Sequence, residues 1–324
     1  MERKANKIKA VMLGHAVADA LGVPVEFCTR EELSDAPVTD MIGWGSYPVP
    51  EGCWSDDTSM SLAALDSLAS GSINYDEIMQ NFVGWVSRHE FTPTGEMFDI
   101  GKTCLSAIRK YLQDDDIDAL SCGLDTERSN GNGSLMRIHP FALFLYYNGL
   151  ADERYMEVIH NASALTHAHE RSKIACGIYT FVLWELLAHP SKGAVLKGLC
   201  RASRFYNSSA EIIHYDRLLT YWMGIMHGKA VDVSEIKSTG YVVDTLEAAI
   251  WSLLTTRDYA SAVLRAVNLG EDTDTVAAVT GGLAGALYGE TSIPAHWLDT
   301  LKKREYIESL CERAEGSWCG GKDK

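Results

Sequence analysis

Helical periodicity runs through almost the whole chain, and it limits the possible folds more than any other feature. Apolar residues recur at intervals of three and four in one segment after another. The alternation of apolar and polar residues that marks a β-strand is nearly absent, and the apolar segment 241–243 is too short to predict one. The sequence therefore predicts an all-α fold.

Capping residues mark where several helices begin. Asn74 with Glu77, and Asp244 with Glu247, have the spacing of a capping box, and Asp258 can cap a helix that ends before Gly270. The predicted helices comprise residues 75–87, 156–164, 172–187, 245–254, 259–269 and 295–315.

The chain is long enough for a sizeable core, and nothing in it predicts a division into domains. It has 324 residues, 46% of them hydrophobic, and no Pro- or Ser-rich linker, so we predict a single domain over residues 1–324. The longest polar region, 113–132, is expected to form a surface loop or lid. The apolar segments 1–20 and 174–187 contain charged residues or are short, and we interpret both as core helices rather than a signal peptide or a membrane span.

Charge and cysteine usage narrow the class of protein. The net charge of −15 argues against a nucleic-acid-binding protein, because a phosphate backbone would be repelled. An acidic chain that handles an anionic substrate needs local positive charge, which metal ions can supply. The eight cysteines form no C-x-x-C pair and are typical of reduced thiols. We therefore predict a cytoplasmic protein that associates with neither nucleic acid nor membrane.

Two acidic motifs stand at predicted helix starts. The first is Ser55-Asp56-Asp57-Thr58 and the second is Asp272-Thr273-Asp274-Thr275. Each alone is explained by helix capping, since carboxylates favour the positive end of the helix dipole. Together they offer four carboxylates and several hydroxyls, a suitable ligand set for two Mg²⁺ ions, whereas no His/Cys set nearby favours zinc.

The helix that follows the second motif is rich in small residues. Gly281 and Gly285 lie four residues apart, and each costs helix stability. Close approach of another helix is the natural reason for this cost. We therefore expect this helix to hold the Asp272 motif against a neighbouring element.

Three weaker motifs remain ambiguous when they are considered alone. The segment 131–137, GNGSLMR, fits either a phosphate-binding nest or a turn in which Ser134 caps the next helix. His167, which follows Thr166, is at a position where a histidine is more often structural than functional. Asp99, within FDIG, is an acid in an apolar setting.

In this order, the motifs resemble those of the ADP-ribosylglycohydrolase family. The resemblance extends over residues 12–289 and rests on GHAVADALGVPVEF, WSDDTSM, FDIG, GNGSLMR, Thr166-His167 and GEDTDTVAAVTGGLAGALYG. It implies a compact all-α domain with a binuclear Mg²⁺ centre, in which Mn²⁺ is also possible.

The resemblance also implies residue roles. Ser55 stands where the family usually has Thr and keeps the hydroxyl, and Glu271 stands where the family usually has Gly. Glu26 matches an acid on a mobile flap near the metals, and His167 would line the ADP-ribose cleft. The implied metal ligands are Ser55, Asp56, Asp57, Asp272, Asp274 and Thr275, and the implied diphosphate-binding residues are Gly131, Asn132, Gly133 and Ser134.

The implied reaction is hydrolysis at C1″ of the distal ribose, which releases ADP-ribose from a modified protein or small molecule. Asp56 or Asp57 would activate the attacking water, and Glu26 would move a proton or position the ribose. Asp99 would bind a guanidinium, which favours arginine as the modified residue.

Other functions remain open from the sequence. They are hydrolysis of serine-linked or O-acetyl-ADP-ribose, a two-metal pyrophosphatase, and a non-enzymatic ADP-ribose-binding or structural protein. The complete set of implied ligands argues against the last.

Overall fold

The computed structural model describes residues 7–218, 224 and 231–319, and its regular structure is helical. In these ranges the only β-type pairings are two isolated bridges, Leu124–His167 and Gly131–Tyr241. The all-α prediction is therefore confirmed. The α-helices with both ends described are α1 Ile8–Gly22, α2 Arg30–Asp35, α3 Asp56–Leu68, α4 Tyr75–Arg88, α5 Lys102–Gln113, α6 His139–Tyr147, α7 Met156–Ala164, α8 Glu170–Ala188, α9 Lys192–Phe205, α10 Val242–Thr255, α11 Tyr259–Val267, α12 Thr273–Tyr288, α13 Ala295–Thr300 and α14 Arg304–Cys319.

Several predicted helix starts are confirmed. The Asn74 side chain caps α4 by accepting a hydrogen bond from the Glu77 amide, although the Glu77 carboxylate accepts from Ser67 rather than closing a capping box. Asp258 caps α11 in a reciprocal box with Ser261. The predicted helices 156–164 and 172–187 correspond to α7 and α8.

Two predicted helices differ from those observed. The helix predicted over 245–254 begins at Val242, because Asp244 accepts a hydrogen bond from the Thr239 hydroxyl instead of capping. The helix predicted over 295–315 is broken between α13 and α14, where the Lys302 amide donates to the Gly52 carbonyl and Lys303 has a positive φ of 45°. Both differences arise from contacts with other parts of the chain.

The pairing of α1 with α12 forms the centre of the molecule. A Cβ atom at Gly281 would overlap the Gly14 carbonyl, and one at Gly285 would overlap the Ala10 carbonyl. The Tyr259 hydroxyl of α11 donates to the same Gly14 carbonyl at 2.6 Å. The close approach predicted from the two glycines is confirmed, and α1 is its partner.

The apolar segments interpreted as core helices are buried. The stretch Ile8–Val25 is long and apolar enough to cross a membrane by composition, but 94% of it is buried inside the protein. Residues 174–187 lie within α8 and are buried as well. The expected frayed tail, residues 320–324, lies outside the described residues.

The polar region 113–132 begins at Gln113, the last residue of α5, and beyond that residue it forms loops and short 3-10 turns, as its composition predicts. It is nevertheless anchored, because Ala119 and Cys122 are buried. Its final residues, Gly131 and Asn132, reach the pocket described below. None of the eight cysteines, all of which lie in the described ranges, forms a disulfide bond, in agreement with the predicted reduced thiols.

Candidate functional site

A pocket of about 330 Å³ lies between the start of α3, the start of α12 and the loop before α6. We name its two sides by their chemistry. The acidic wall consists of Glu26, Asp56, Asp99, Asp272 and Thr275, and the histidine wall consists of Gly131, Asn132, Gly133, Met136 and His167.

The start of α3 is clamped by a carboxylate from α1. Asp19 accepts hydrogen bonds from the Ser55 amide at 2.9 Å, from the Thr58 amide at 3.0 Å and from the Thr58 hydroxyl at 2.6 Å. These bonds fix the turn that presents Asp56 and Asp57. Asp19 was not among the predicted site residues, although a lone acid within an apolar helix was a signal that could have identified it.

The start of α12 is held against the end of α1. The Thr273 hydroxyl donates to the Gly22 carbonyl at 2.8 Å, and a Cβ atom at Gly22 would overlap the backbone of Asp274. The Thr275 hydroxyl then donates to Asp57 Oδ1 at 3.3 Å. The two acidic motifs, which are far apart in sequence, therefore meet directly.

The carboxylates form two overlapping clusters. Asp19, Asp57 and Asp274 each offer an oxygen within 4.8 Å of the others, and so do Glu26, Asp272 and Asp274. Asp274 belongs to both clusters. This arrangement is suited to two neighbouring cations that share one carboxylate.

Four carboxylate oxygens in these clusters are buried and have no hydrogen-bond donor among the described residues. They are Asp57 Oδ2, Asp272 Oδ1, Asp274 Oδ2 and Glu26 Oε2. Buried oxygens without a partner are costly, and a hard divalent cation is the ligand that such oxygens prefer. The residues present therefore fit a divalent metal ion.

The electrostatics of the acidic wall and of the two clusters also favour the binding of positive charge. Burial, together with Asp99, raises the pKa of Glu26 to about 8. Burial and the neighbouring carboxylates raise the pKa values of Asp56, Asp57 and Asp274 well above their ordinary values. None of the ion pairs within the described ranges involves these groups. Bound cations would allow them to ionise together.

The predicted ligands do not all lie in the clusters. Asp56 faces the pocket outside both clusters and accepts from the Gly101 amide at 3.4 Å. The Ser55 hydroxyl accepts from the Asp57 amide at 3.3 Å as the cap of α3. Glu26, predicted as an acid on a flap, lies inside a cluster.

The position where the family usually has Gly is conformationally demanding. Glu271 has a positive φ of 64°, a backbone conformation that favours glycine. Its amide donates to the Cys28 carbonyl and its carbonyl accepts from the Phe27 amide, both at 2.7 Å. These two bonds hold the strained residue beside Glu26 and Asp272.

The segment 131–134 does not present all its side chains to the pocket. The Asn132 side-chain Nδ2 donates to Asp272 Oδ2 at 2.9 Å and to the Thr245 hydroxyl at 3.0 Å. Asn132 therefore orients a carboxylate of the acidic wall. The Ser134 hydroxyl is fully buried against Ser163 at 2.9 Å and does not line the pocket. It does not cap α6 either, since α6 begins after Ile138.

Asp99 lies in the acidic wall in a left-handed backbone conformation, with φ 53°. Burial and the neighbouring Asp272 raise the pKa of its carboxyl group. The Tyr47 hydroxyl lies against the carboxyl groups of Asp99 and Glu26. Its hydrogen bonding lowers the pKa of both groups and so partly offsets the rise. The sequence analysis did not identify Tyr47, because it belongs to none of the motifs.

His167 is 1% exposed and lies in the histidine wall. Burial, with a contribution from the Arg137 charge, lowers its pKa to about 3. The imidazole is therefore neutral at ordinary pH.

Comparison with known proteins assigns the chain to a family. The family model described as ADP-ribosylglycohydrolase matches residues 1–323. The chain is 34% identical to the ADP-ribosylarginine hydrolase Tri1 of Serratia proteamaculans, over 95% of this chain and 78% of that protein. It is 30% identical to the ADP-ribosyl-[dinitrogen reductase] glycohydrolase of Rhodospirillum rubrum, over 89% of this chain and 88% of that protein.

A solved structure gives the same assignment. It is described as an ADP-ribosylglycohydrolase-related protein complex and superposes with a TM-score of 0.77 at 28% identity, covering 98% of this chain and 100% of that one. The paired acidic motifs, the helical fold and these matches together show that the chain belongs to the ADP-ribosylglycohydrolase family.

Proposed function

We propose that this chain removes ADP-ribose from modified arginine residues of proteins, with two divalent cations held between the starts of α3 and α12. The observation that carries the proposal is the convergence of four buried carboxylate oxygens that have no donor. The name of the relative at 34% identity, an ADP-ribosylarginine hydrolase, supports the arginine linkage.

The clusters suggest which residues would hold the cations. Asp19, Asp57 and Asp274 would surround one ion, and Glu26, Asp272 and Asp274 the other, and Mg²⁺ or Mn²⁺ suits this oxygen set. When bound, the ions would supply Lewis-acid stabilisation and bind sugar hydroxyls.

The geometry favours Asp56 over Asp57 as the base that accepts a proton from the attacking water. Asp56 lines the pocket, whereas Asp57 is fully buried and has one oxygen occupied by Thr275. Glu26 also lines the pocket and would position the distal ribose. The positive charge that develops on the sugar would face the carboxylates of the acidic wall.

Asp99 supports a cationic leaving group. Its carboxyl group lies in the acidic wall beside other carboxyl groups and forms none of the ion pairs in the described part of the chain. An arginine guanidinium would supply the missing positive charge through a charge-assisted hydrogen bond.

The direct test is to incubate the purified protein with ADP-ribosyl-arginine protein, with Mg²⁺ and with chelator, and to identify the released product. We expect intact ADP-ribose, released only with the metal. Release of AMP would instead indicate a pyrophosphatase. Absence of release, together with cleavage of serine-linked or O-acetyl-ADP-ribose, would refute the arginine linkage.

The Asp99→Ala variant tests the leaving-group site. We expect kcat/KM on ADP-ribosyl-arginine to fall about 10- to 100-fold, the loss typical of a hydrogen bond to a charged group. The affinity for free ADP-ribose, which lacks a guanidinium, serves as the control and should not change. Unchanged activity on ADP-ribosyl-arginine would exclude this role for Asp99.

A further inference from the structure

We infer that Arg137 and Thr166 fix His167 as the neutral tautomer that carries its proton on Nε2, so that His167 presents an N–H donor to the pocket. That this donor meets an oxygen of ADP-ribose rests on the proposed function. The position of the proton on the His167 ring is inferred from the structure alone and does not depend on the proposed function.

Arg137 is a buried cation without an acidic partner. Its side chain is fully buried, and none of the described ion pairs includes it. The guanidinium stacks over the Phe82 ring at 4.7 Å and donates to the Ala162 carbonyl at 3.2 Å. It also donates to the Thr166 hydroxyl at 2.7 Å. The Arg137 charge therefore lies next to the Thr166 hydroxyl, on the side of His167.

The Thr166 hydroxyl connects this cation to His167. Its oxygen lies 2.8 Å from His167 Nδ1. A guanidinium only donates, so Arg137 occupies one lone pair of the oxygen and leaves the single hydroxyl hydrogen for another acceptor. If that hydrogen points to Nδ1, then Nδ1 is an acceptor and the ring proton must be on Nε2.

Cys104 is the competing acceptor for this hydrogen. Its thiol lies beside the Thr166 hydroxyl, and burial raises the pKa of the thiol to about 12, which keeps it neutral. A neutral sulfur is a weak acceptor, whereas the lone pair of an imidazole nitrogen is a strong one. The hydroxyl therefore donates to His167 rather than to Cys104.

The charge of Arg137 favours the same tautomer. In the tautomer protonated on Nε2, the negative end of the ring dipole is at Nδ1, on the side of Thr166 and Arg137. The other tautomer would turn an N–H group towards the buried cation. Inside a protein of low dielectric constant this difference is not screened by water.

The other edge of the ring is open to the pocket. A Cβ atom at Gly133 would overlap this edge, 2.9 Å from His167 Cε1, and one at Gly131 would lie in van der Waals contact with Nε2 at 3.5 Å, so the two glycines keep this edge open. Nε2 has no hydrogen-bond partner within the described chain. An anionic oxygen of the ADP-ribose diphosphate would accept a hydrogen bond from the Nε2–H group. His167 then acts as a fixed donor and not as a proton shuttle.

Nitrogen NMR of the protein labelled with ¹⁵N-histidine measures the tautomer directly. The His167 signals are assigned by their loss in His167→Gln, because the chain has ten histidines. We expect a pyrrole-type shift for Nε2 and a pyridine-type shift for Nδ1. Wild-type protein that shows a protonated Nδ1 would overturn the inference, whatever the enzyme cleaves.

Matched variants of Thr166 test the relay. Thr166→Ser keeps the hydroxyl and should retain the wild-type shifts and the affinity for ADP-ribose. Thr166→Val removes it and should give a mixture of tautomers and about tenfold weaker ADP-ribose binding, with less effect on kcat than on KM. Wild-type shifts in Thr166→Val would refute the role of Thr166. If that variant does not fold, the wild-type spectrum still decides the tautomer.

Discussion

The two walls of the pocket differ in the sign of their uncompensated charge. The acidic wall and the carboxylate clusters beside it contain buried oxygens that have no hydrogen-bond donor among the described residues. The histidine wall stands in front of a fully buried arginine that has no acidic partner in the described structure. The carboxylates of one wall favour the binding of cations, whereas a fixed buried cation lies behind the other wall.

This difference separates two kinds of recognition. On the proposed function, the acidic wall would hold the reacting sugar only once bound cations have balanced its carboxylates. With the inferred tautomer, the histidine wall would attract an anionic group without any addition, because folding fixes both the Arg137 charge behind it and the Nε2 donor. Asn132 joins the walls, since it belongs to the histidine wall and donates to Asp272 of the acidic wall. The following variants test how independent the two walls are.

Removal of the shared carboxylate should have the largest effect. Asp274→Asn removes one charge from both clusters, and we expect ADP-ribose release to fall by more than about 100-fold, beyond the loss typical of a residue that only orients a ligand. Mn²⁺ binding, measured by calorimetry, should weaken in parallel. Asp66→Asn, on α3 but paired with Arg313, is the charge-matched control. Normal Mn²⁺ binding by Asp274→Asn would exclude the two-cluster assignment.

Removal of the link between the walls should have a smaller effect. Asn132→Ala deletes the hydrogen bond to Asp272, and we expect the affinity for Mg²⁺ to fall about 10- to 100-fold. Asn268→Ala is the control for general stability, because it removes a side-chain amide that donates hydrogen bonds to the Val38 and Leu264 carbonyls. Equal Mg²⁺ affinities in the two variants would show that Asn132 does not support the metal site.

After a chelator has removed bound metal ions, the thermal stability of the protein should depend on pH, because the carboxyl groups of the acidic wall then titrate. The pKa of Glu26 is raised from 4.5 to about 8, so its contribution is complete at low pH and lost as the pH rises through about 8. We therefore expect the Tm of chelator-treated protein to fall as the pH rises from about 4.5 to about 8, and added Mg²⁺ to raise the Tm most at high pH. In Glu26→Gln this fall should be smaller. A Tm that is independent of pH after chelation would contradict the electrostatic account.

The smallest effect should come from the helix contact beneath the acidic wall. Gly281→Ala forces α12 away from the Gly14 carbonyl of α1, and we expect the free energy of unfolding to fall by about 1–3 kcal/mol. Gly316→Ala, in α14 with open space around it, should instead stabilise by about 0.5–1 kcal/mol. Denaturant unfolding measures both. The His167 tautomer should be unchanged in Gly281→Ala, since α12 contributes no residue to the histidine wall.

Local patterns predicted the helices and the acidic motifs, but they did not predict the connections between them. Helical periodicity and caps such as Asn74 and Asp258 act within a few residues, so they can be read from the chain. The break before α14 and the early start of α10 depend on Gly52 and Thr239, which pattern analysis could not connect to them. Asp19 was overlooked for the same reason, because its partners Ser55 and Thr58 lie on another helix.

The sequence alone determined the helical fold class and the residues available for hard-cation chemistry, because periodicity and side-chain type are local properties. It also indicated the helix contact at Gly281, since glycine inside a helix has a cost that close packing explains. Only the tertiary structure decided which oxygens converge, that Asp56 and not Asp57 faces the pocket, and that Arg137 acts on His167 through Thr166. These relations depend on distances between segments far apart in the chain, and only the packed helices set those distances.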